Sequence, residues 1–336
     1  MKKGTIQTQF ARSLELEFAF QGEATMDTVE MKNVTKTFGK HVAVDDLSLT
    51  VPQGSIYGFI GPNGSGKTTT LRMIMGILYP DSGSIRVFEE KVYGGRSDHI
   101  GYMPEERGLY KKMKVRDVLQ FYGELKSGRN VKKEVEHWLD KLDLNNWANK
   151  KVETLSKGMS QKVQFISTVV SRPDLVILDE PFTGLDPVNT DVIKSAILDL
   201  RAQGTTIILS THDMNVAETM CDFIFMIFKG KKVLDGTLAS IQKAYGQDTL
   251  RIRTADGFSI LQNLSGVDRI NDFGQMQELH ITQDCDPQEV LAKIMSRTGV
   301  KSFEIASPSL HDIFVRIAGP EAKAFVFDTN EEVKNE

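Results

Sequence analysis

Between Met26 and about Tyr245, short apolar runs alternate with segments whose apolar residues recur at helical spacing. Ile56–Ile60, Leu175–Leu178, Thr206–Ser210 and Phe223–Phe228 are short, mostly apolar runs, the pattern of strands buried on both faces. Val29–Val34 reads as a further strand and Thr69–Leu78 as a helix. Strands alternating with helices predict an α/β fold with a mostly parallel sheet. From about Lys111 to Val170 the strands stop, and Val115–Leu125, Val131–Leu142 and Ser160–Val170 take helical spacing. A helical subdomain is therefore expected as an insertion in the α/β core. Trp138 and Trp147 fall within it and are expected to pack in its core.

After Gly246 the pattern changes. Thr249–Arg253 and Glu278–Thr282 alternate as strands do, Pro287–Arg297 is helical, and Phe303–Ile305 reads as another strand. These elements predict a small C-terminal α+β domain. The expected organisation is an extension over 1–25, a main domain over 26–245, an accessory domain over 246–320 and an acidic tail over 321–336. The extension is polar, with one weak alternation at Leu14–Phe20, and is expected to be dispensable, with translation starting at Met26. Mass spectrometry of the native N-terminus tests this, and a peptide from residues 4–20 would refute it. The tail is acidic and aperiodic and is expected to be disordered. No internal repeat is visible.

Composition narrows the picture only modestly. The 336 residues are 40% hydrophobic and 26% charged, enough for two domains with ordinary cores. At a net charge of −4 nothing global argues for nucleic-acid binding, and no nucleic-acid partner is expected. Cys221 and Cys285 match no metal or redox spacing and are expected to be small buried hydrophobes. No stretch approaches the roughly 18 apolar residues of a membrane span. A role at a membrane would therefore require a second chain to supply the spanning part. Met1-Lys2-Lys3 is basic, but Arg12, Glu15, Glu17 and Glu23 interrupt any apolar region after it, so no secretory signal is expected.

The sharpest chemical signal is Gly61-Pro62-Asn63-Gly64-Ser65-Gly66-Lys67-Thr68, which fits the phosphate-loop pattern G-x-x-x-x-G-K-[ST]. A predicted buried strand enters it and a predicted helix leaves it at Thr69. Glycines let the backbone N–H groups curl toward phosphates, and the helix N-terminus adds partial positive charge. Lys67 is placed to neutralise the β- and γ-phosphates, and the Thr68 hydroxyl to ligate Mg²⁺. The second signal is Leu175–Leu178 followed by Asp179 and Glu180. Alone, this is often a solvated strand end. Downstream of a phosphate loop, Asp179 suits Mg²⁺ and Glu180 suits activation of an attacking water.

The sequence between these signals separates the kinds of phosphate-loop ATPase. Leu155-Ser156-Lys157-Gly158-Met159 resembles the LSGGQ signature of the ABC ATPases, retaining Ser156 and Gly158 while Lys157 and Met159 depart from it. Pro181–Pro187 resembles the D-loop, with Asp186 at the dimer-contact position. Leu209–His212 resembles the switch strand, with His212 against the γ-phosphate. Val34–Gly39 resembles the A-loop, which implies that Phe38 stacks on adenine. Where the family usually has glutamine after the strand Ile100–Met103 and Pro104, this chain has Glu105. That residue can still meet Mg²⁺ through oxygen, but it adds negative charge near the γ-phosphate. Pro104–Tyr110 and Pro308–Phe314 resemble a branch of ABC-2-type exporter ATPases that includes sodium- and drug-extrusion members. The resemblance is dense over 26–245, weak over 246–318 and absent over 1–25.

The resemblance implies a P-loop NTPase core with antiparallel and helical subdomains. It also implies ATP and Mg²⁺ as cofactors, a head-to-tail homodimer, and an integral-membrane permease served from the cytoplasmic face of the membrane. One phosphate loop and one signature per chain mean that a monomer cannot complete a site. Two rival readings are a non-transport ABC ATPase of translation or DNA maintenance and a degenerate regulatory cassette. The first is disfavoured by the single cassette without a coiled-coil insertion. The second is disfavoured by the full set of phosphate and magnesium residues.

Overall fold

The computed structural model describes residues 27–92, 97–106, 108–245, 249–282 and 285–319. The expected extension, with its Met26 start, and the acidic tail lie outside the described residues. In chain order the elements begin with β1 (Asp27–Phe38), β2 (His41–Pro52), β3 (Ile56–Ile60), α1 (Lys67–Ile74), β4 (Ser82–Val87), β5 (Glu90–Lys91) and β6 (Ile100–Met103). The helical stretch follows as α2 (Val115–Ser127), α3 (Lys132–Lys141) and α4 (Lys157–Val169). Then come β7 (Leu175–Asp179), α5 (Pro187–Ala202), β8 (Thr206–Thr211), α6 (Met214–Met220), β9 (Phe223–Phe228), β10 (Lys231–Gly236) and α7 (Leu238–Tyr245). The last part comprises β11 (Thr249–Thr254), β12 (Val267–Asp272), β13 (Gln277–Ile281), α8 (Pro287–Met295), β14 (Val300–Ala306) and α9 (Leu310–Ala318).

The central sheet has six strands in the order β10-β9-β3-β8-β7-β6. All neighbours are parallel except β10, which pairs antiparallel with β9. The inner strands β3, β7, β8 and β9 are mostly apolar because both of their faces are covered, whereas edge strand β10 carries the exposed Lys231 and Lys232. Along β7, Leu175 and Ile177 turn to one face and Val176 and Leu178 to the other. The first face packs on α1 and on an antiparallel sheet ordered β2-β1-β4-β5. The second packs on the inserted helices, where Val118, Leu119, Val135, Leu139 and Phe165 continue the core. Trp138 is buried there, edge-on to Phe165 with centroids 5.8 Å apart. Trp147 is only half-buried, because it sits on a short turn after α3 rather than on a helix face.

Two further expectations need correction. Helix α1 ends at Ile74, not Leu78, because Gly76 takes a left-handed φ of 69° and Leu78 N–H turns back to the Arg72 carbonyl. Neither cysteine is fully buried. Cys221 lies against Gly58, and burial of its sulfur pushes the thiol up to about 12.

The C-terminal sheet is antiparallel in the order β12-β13-β11-β14, with α8 on one face through Val290 and Ile294. Helix α9 keeps one polar contact with it, Arg316 Nη2 to His280 Nδ1 of β13 at 3.3 Å, but buries its apolar face elsewhere. Leu310, Ile313 and Phe314 pack with Ala217 of α6 and with Ile224 and Met226 of β9. The Ser309–Asp312 capping box starts α9, and Leu310 N–H donates to Glu218 Oε1 of α6 at 2.5 Å.

Candidate functional site

Parallel strands deliver their C-terminal ends to one edge of the sheet, where open α/β folds bind ligands. Here Ile60 pairs with Thr211 and Asp179 with Ser210. Gly61, His212 and Glu180 therefore emerge side by side from β3, β8 and β7.

The loop Gly61–Gly66 is shaped by close backbone. A methyl group on Gly66 would come within 2.5 Å of the Ala43 carbonyl of β2, at a φ of 109° that side chains rarely adopt. Pro62 is half-buried, Asn63 and Gly64 are exposed, and the Ser65 hydroxyl is buried with no hydrogen-bond partner. Lys67 is buried, and its ammonium donates to the Gly61 carbonyl at 2.5 Å and the Pro62 carbonyl at 3.2 Å. Burial lowers its pKa, while the negative charges of Glu180, Asp179 and Glu105 oppose that. The negative charges of all three predicted carboxylates thus act on this ammonium. Thr68 donates to Asp179 Oδ2 at 3.2 Å, and Thr69 is half-buried in the first turn of α1.

Asp179 is 1% exposed, and burial raises its pKa against the pull of the Ser210 and Thr68 hydroxyls. Glu180 takes a left-handed φ of 50°, a strained conformation of the kind that persists only when its surroundings enforce it. Its N–H donates to the Ser210 carbonyl at 3.0 Å, and its Oε1 lies 2.8 Å from His212 Nδ1. That bond raises the His212 pKa, with burial working against it. Thr68 and Asp179 offer hard oxygen donors and leave most of a coordination sphere open. This suits Mg²⁺, which is held by one or two carboxylates together with substrate phosphates. Among the described residues no group of three or more His, Cys, Asp or Glu forms an all-protein metal cage.

The remaining predicted residues lie in other settings. Phe38 ends β1, 49% exposed, with the Lys36 ammonium 5.6 Å from its ring centre. Its hairpin partner His41 is two residues from Ala43, the wall of Gly66, so β1 ends at the hairpin whose second strand abuts the loop. Glu105 is exposed on the loop after β6. Ser156 caps α4, accepting from Met159 N–H at 3.3 Å, and Gly158 follows in its first turn against Asn189 and Leu185. Asp186 caps α5 through Asn189 N–H at 2.9 Å. Lys67, Thr68, Asp179, Glu180 and His212 thus form one cluster. Ser156, Gly158 and Asp186 instead contact Met159 of α4, Asn189 of α5 and Leu185 in the loop before α5.

Sequence reasoning missed three residues. Asp81 accepts from Lys36, from Thr37 N–H and from the Thr37 hydroxyl, and these bonds hold its pKa at about 2. It thereby fixes the strand end that presents Phe38. In the sequence it reads as an ordinary turn residue. Gln161 and Gln164 are buried polar residues on α4, bonded to loops that no local pattern connects to that helix.

A phosphate loop, a buried acid pair and a switch histidine at the carboxyl edge of a parallel sheet define a P-loop ATPase. The inserted helices, the last of them headed by Leu155–Met159, make it one of the ATP-binding-cassette type. Residues 44–183 match the family described as "ABC transporter", and 236–318 match "ATP-binding protein DrrA1-3-like, C-terminal domain". The chain is 43% identical over 289 residues to YhaQ of Bacillus subtilis, described as an uncharacterized ABC transporter ATP-binding protein. That match covers 85% of this chain and 97% of YhaQ. The chain is 34% identical over 301 residues to the Nod factor export ATP-binding protein I of Burkholderia lata, covering 87% and 97%. A solved ATP-binding subunit of an ABC transporter superposes with a TM-score of 0.62 at 28% identity, over 65% of this chain and 93% of that one. The chain belongs to the ABC transporter ATP-binding proteins. It binds nucleotide and hydrolyses ATP, and its family works with a membrane-spanning permease. Among the described residues no helix is long and apolar enough to cross a membrane.

Proposed function

We propose that two copies of this chain close head-to-tail around two ATP molecules and drive a separate permease from the cytoplasmic face of the membrane. Each ATP lies between Gly61–Thr69 of one subunit and Ser156 and Gly158 of the partner subunit, with Asp186 at the seam. Phe38 stacks on adenine. Backbone N–H groups of Gly61–Gly66 and the Lys67 ammonium hold the phosphates. Thr68, Asp179 and Glu105 would hold Mg²⁺, which would supply charge neutralisation to the phosphates when bound. Glu180 orients the attacking water and takes its proton while the γ-phosphorus is attacked in line and the bond to the ADP oxygen breaks. His212 trades its bond from Glu180 to the γ-phosphate, which frees the carboxylate to meet that water.

The observation that carries this reading is the clustering of Lys67, Thr68, Asp179, Glu180 and His212 at adjoining strand ends. Residues 26–245 form the ATP-binding unit and 246–320 the accessory unit. The loop and helix start over Glu105–Val115 is the surface offered to the permease. Export is the favoured direction, since a relative is named for the export of Nod factor. Glu180→Gln is expected to bind ATP, form a stable ATP-dependent dimer and hydrolyse at about a hundredth of the wild-type rate or less. Light scattering beside a steady-state ATPase assay reads both. Wild-type turnover in that variant would remove Glu180 from the catalytic role.

A further inference from the structure

Helix α4 begins at the signature and runs inward beneath the site. Most of its inner face is apolar, with Val163, Phe165, Ile166 and Val169 in the core, yet Gln161 and Gln164 are 2% and 3% exposed. They stand three residues apart, so both project to one side of the helix. The Gln161 amide donates to the Pro181 carbonyl at 3.0 Å, directly after Glu180. The Gln164 amide donates to the Pro104 carbonyl at 2.8 Å and the Glu106 carbonyl at 3.3 Å, on either side of Glu105. The Gln164 carbonyl oxygen is itself buried with no partner. A buried amide with one end unsatisfied is costly where an apolar side chain would pack freely. Its geometry is instead committed to holding the backbone that flanks one acid, while Gln161 holds the backbone that flanks the other. Glu105 and Glu180 both bear on the Lys67 ammonium, so small shifts of either loop are felt at the phosphate end of the site.

We propose that Gln164, assisted by Gln161, is a positioning residue that ties the signature helix to the two acidic loops. This rests on the head-to-tail reading above. In that arrangement the N-terminus of α4 grips the ATP bound by the partner subunit, while its glutamines set Glu105 and Glu180 in the chain's own site. One helix thus reports the filling of one site to the acids of the other, and hydrolysis is cooperative in ATP because of it.

The test uses the full chain with steady-state ATPase measured against ATP concentration, and a fluorescent ATP analogue for affinity. Gln164→Met keeps length and apolar packing and removes the donor. It is expected to lower kcat by about 10- to 100-fold and bring the Hill coefficient to that of independent sites. Nucleotide affinity should stay within about twofold of wild type, the split expected when orientation rather than binding is lost. Gln164→Glu has no donor while ionised and regains one when protonated. Its activity relative to wild type should therefore rise as pH falls, a dependence that loss of packing alone does not produce. Wild-type kcat and Hill coefficient in a folded Gln164→Met would overturn the proposal, as would a wild type without cooperativity. If Gln164→Met does not fold, a pH-independent activity ratio for Gln164→Glu overturns it instead. Glu180→Gln run alongside separates the two readings. Failure of that variant to dimerise with ATP refutes the dimer, whereas an intact dimer with an unaltered Gln164→Met refutes only the coupling.

Discussion

The loop Gly61–Thr68 is walled by backbone on two sides, whereas the signature Leu155–Met159 meets mainly side chains. At the loop, Gly66 faces the Ala43 carbonyl, and the Ser65 backbone carbonyl accepts from Gly230 N–H at 2.9 Å, which ties the loop to the β9–β10 turn. Lys67, Thr68, Glu180 and His212 all bond within the same subunit. At the signature, Ser156 caps its own helix with a long 3.3 Å bond, and Gly158 rests on the Asn189 and Leu185 side chains. Of the two surfaces that the proposed dimer brings onto one ATP, one is pre-organised and the other becomes functional only against a partner. Substitutions should therefore damage the fold at the first and assembly at the second.

Gly66→Ala should have the largest effect on the fold. A side chain at φ 109° that also meets the Ala43 carbonyl is expected to cost roughly 3 kcal/mol, read by urea unfolding. A loss under about 1 kcal/mol would mean that the loop is not rigidly walled. Ser156→Ala should be milder for stability, about 1 kcal/mol at most given the long cap bond, and ATP should still bind the isolated subunit. ATP-dependent dimerisation should nonetheless fail. If Ser156→Ala dimerised like wild type, the contrast between the two surfaces would collapse.

The smallest expected effect is a titration. The Glu180 bond raises the His212 pKa above its ordinary 6.5, so the pair stabilises the fold fully below 6.5. That contribution is lost as pH rises through the raised value. Proton NMR of His212 should give a midpoint above 6.5 that moves down in Glu180→Gln. An unchanged midpoint would show that Glu180 does not hold the proton.

The parts legible in the sequence were those whose cause is local. Buried strands such as Leu175–Asp179 announce themselves by unbroken apolar runs, and the phosphate loop by glycine spacing. The hairpin β1–β2 was half hidden, because left-handed Asn33 and Asp46 and several register shifts break its alternation. The docking of α9 could not be read, since Leu310, Ile313 and Phe314 meet partners some 90 residues earlier in the chain. Gln161 and Gln164 look like surface residues until the loops they bond are folded beside them. Asp179 and Glu180 could be named from their place after a buried strand and His212 from the family resemblance, but not the bond from Glu180 to His212, which depends on β7 and β8 being neighbours.

The return of α9 has an evolutionary corollary. Gln242 of α7 donates to the Pro308 carbonyl just before α9 at 3.0 Å, so the chain leaves and re-enters the core at nearly one point. Everything from β11 to β14 is thus a module plugged into a socket, with its two leads side by side. Such a module can be exchanged, enlarged or deleted by recombination without rethreading the motor beneath it. A chimera that joins the α7 and α9 segments directly, or through a foreign domain with adjacent termini, should keep the underlying fold.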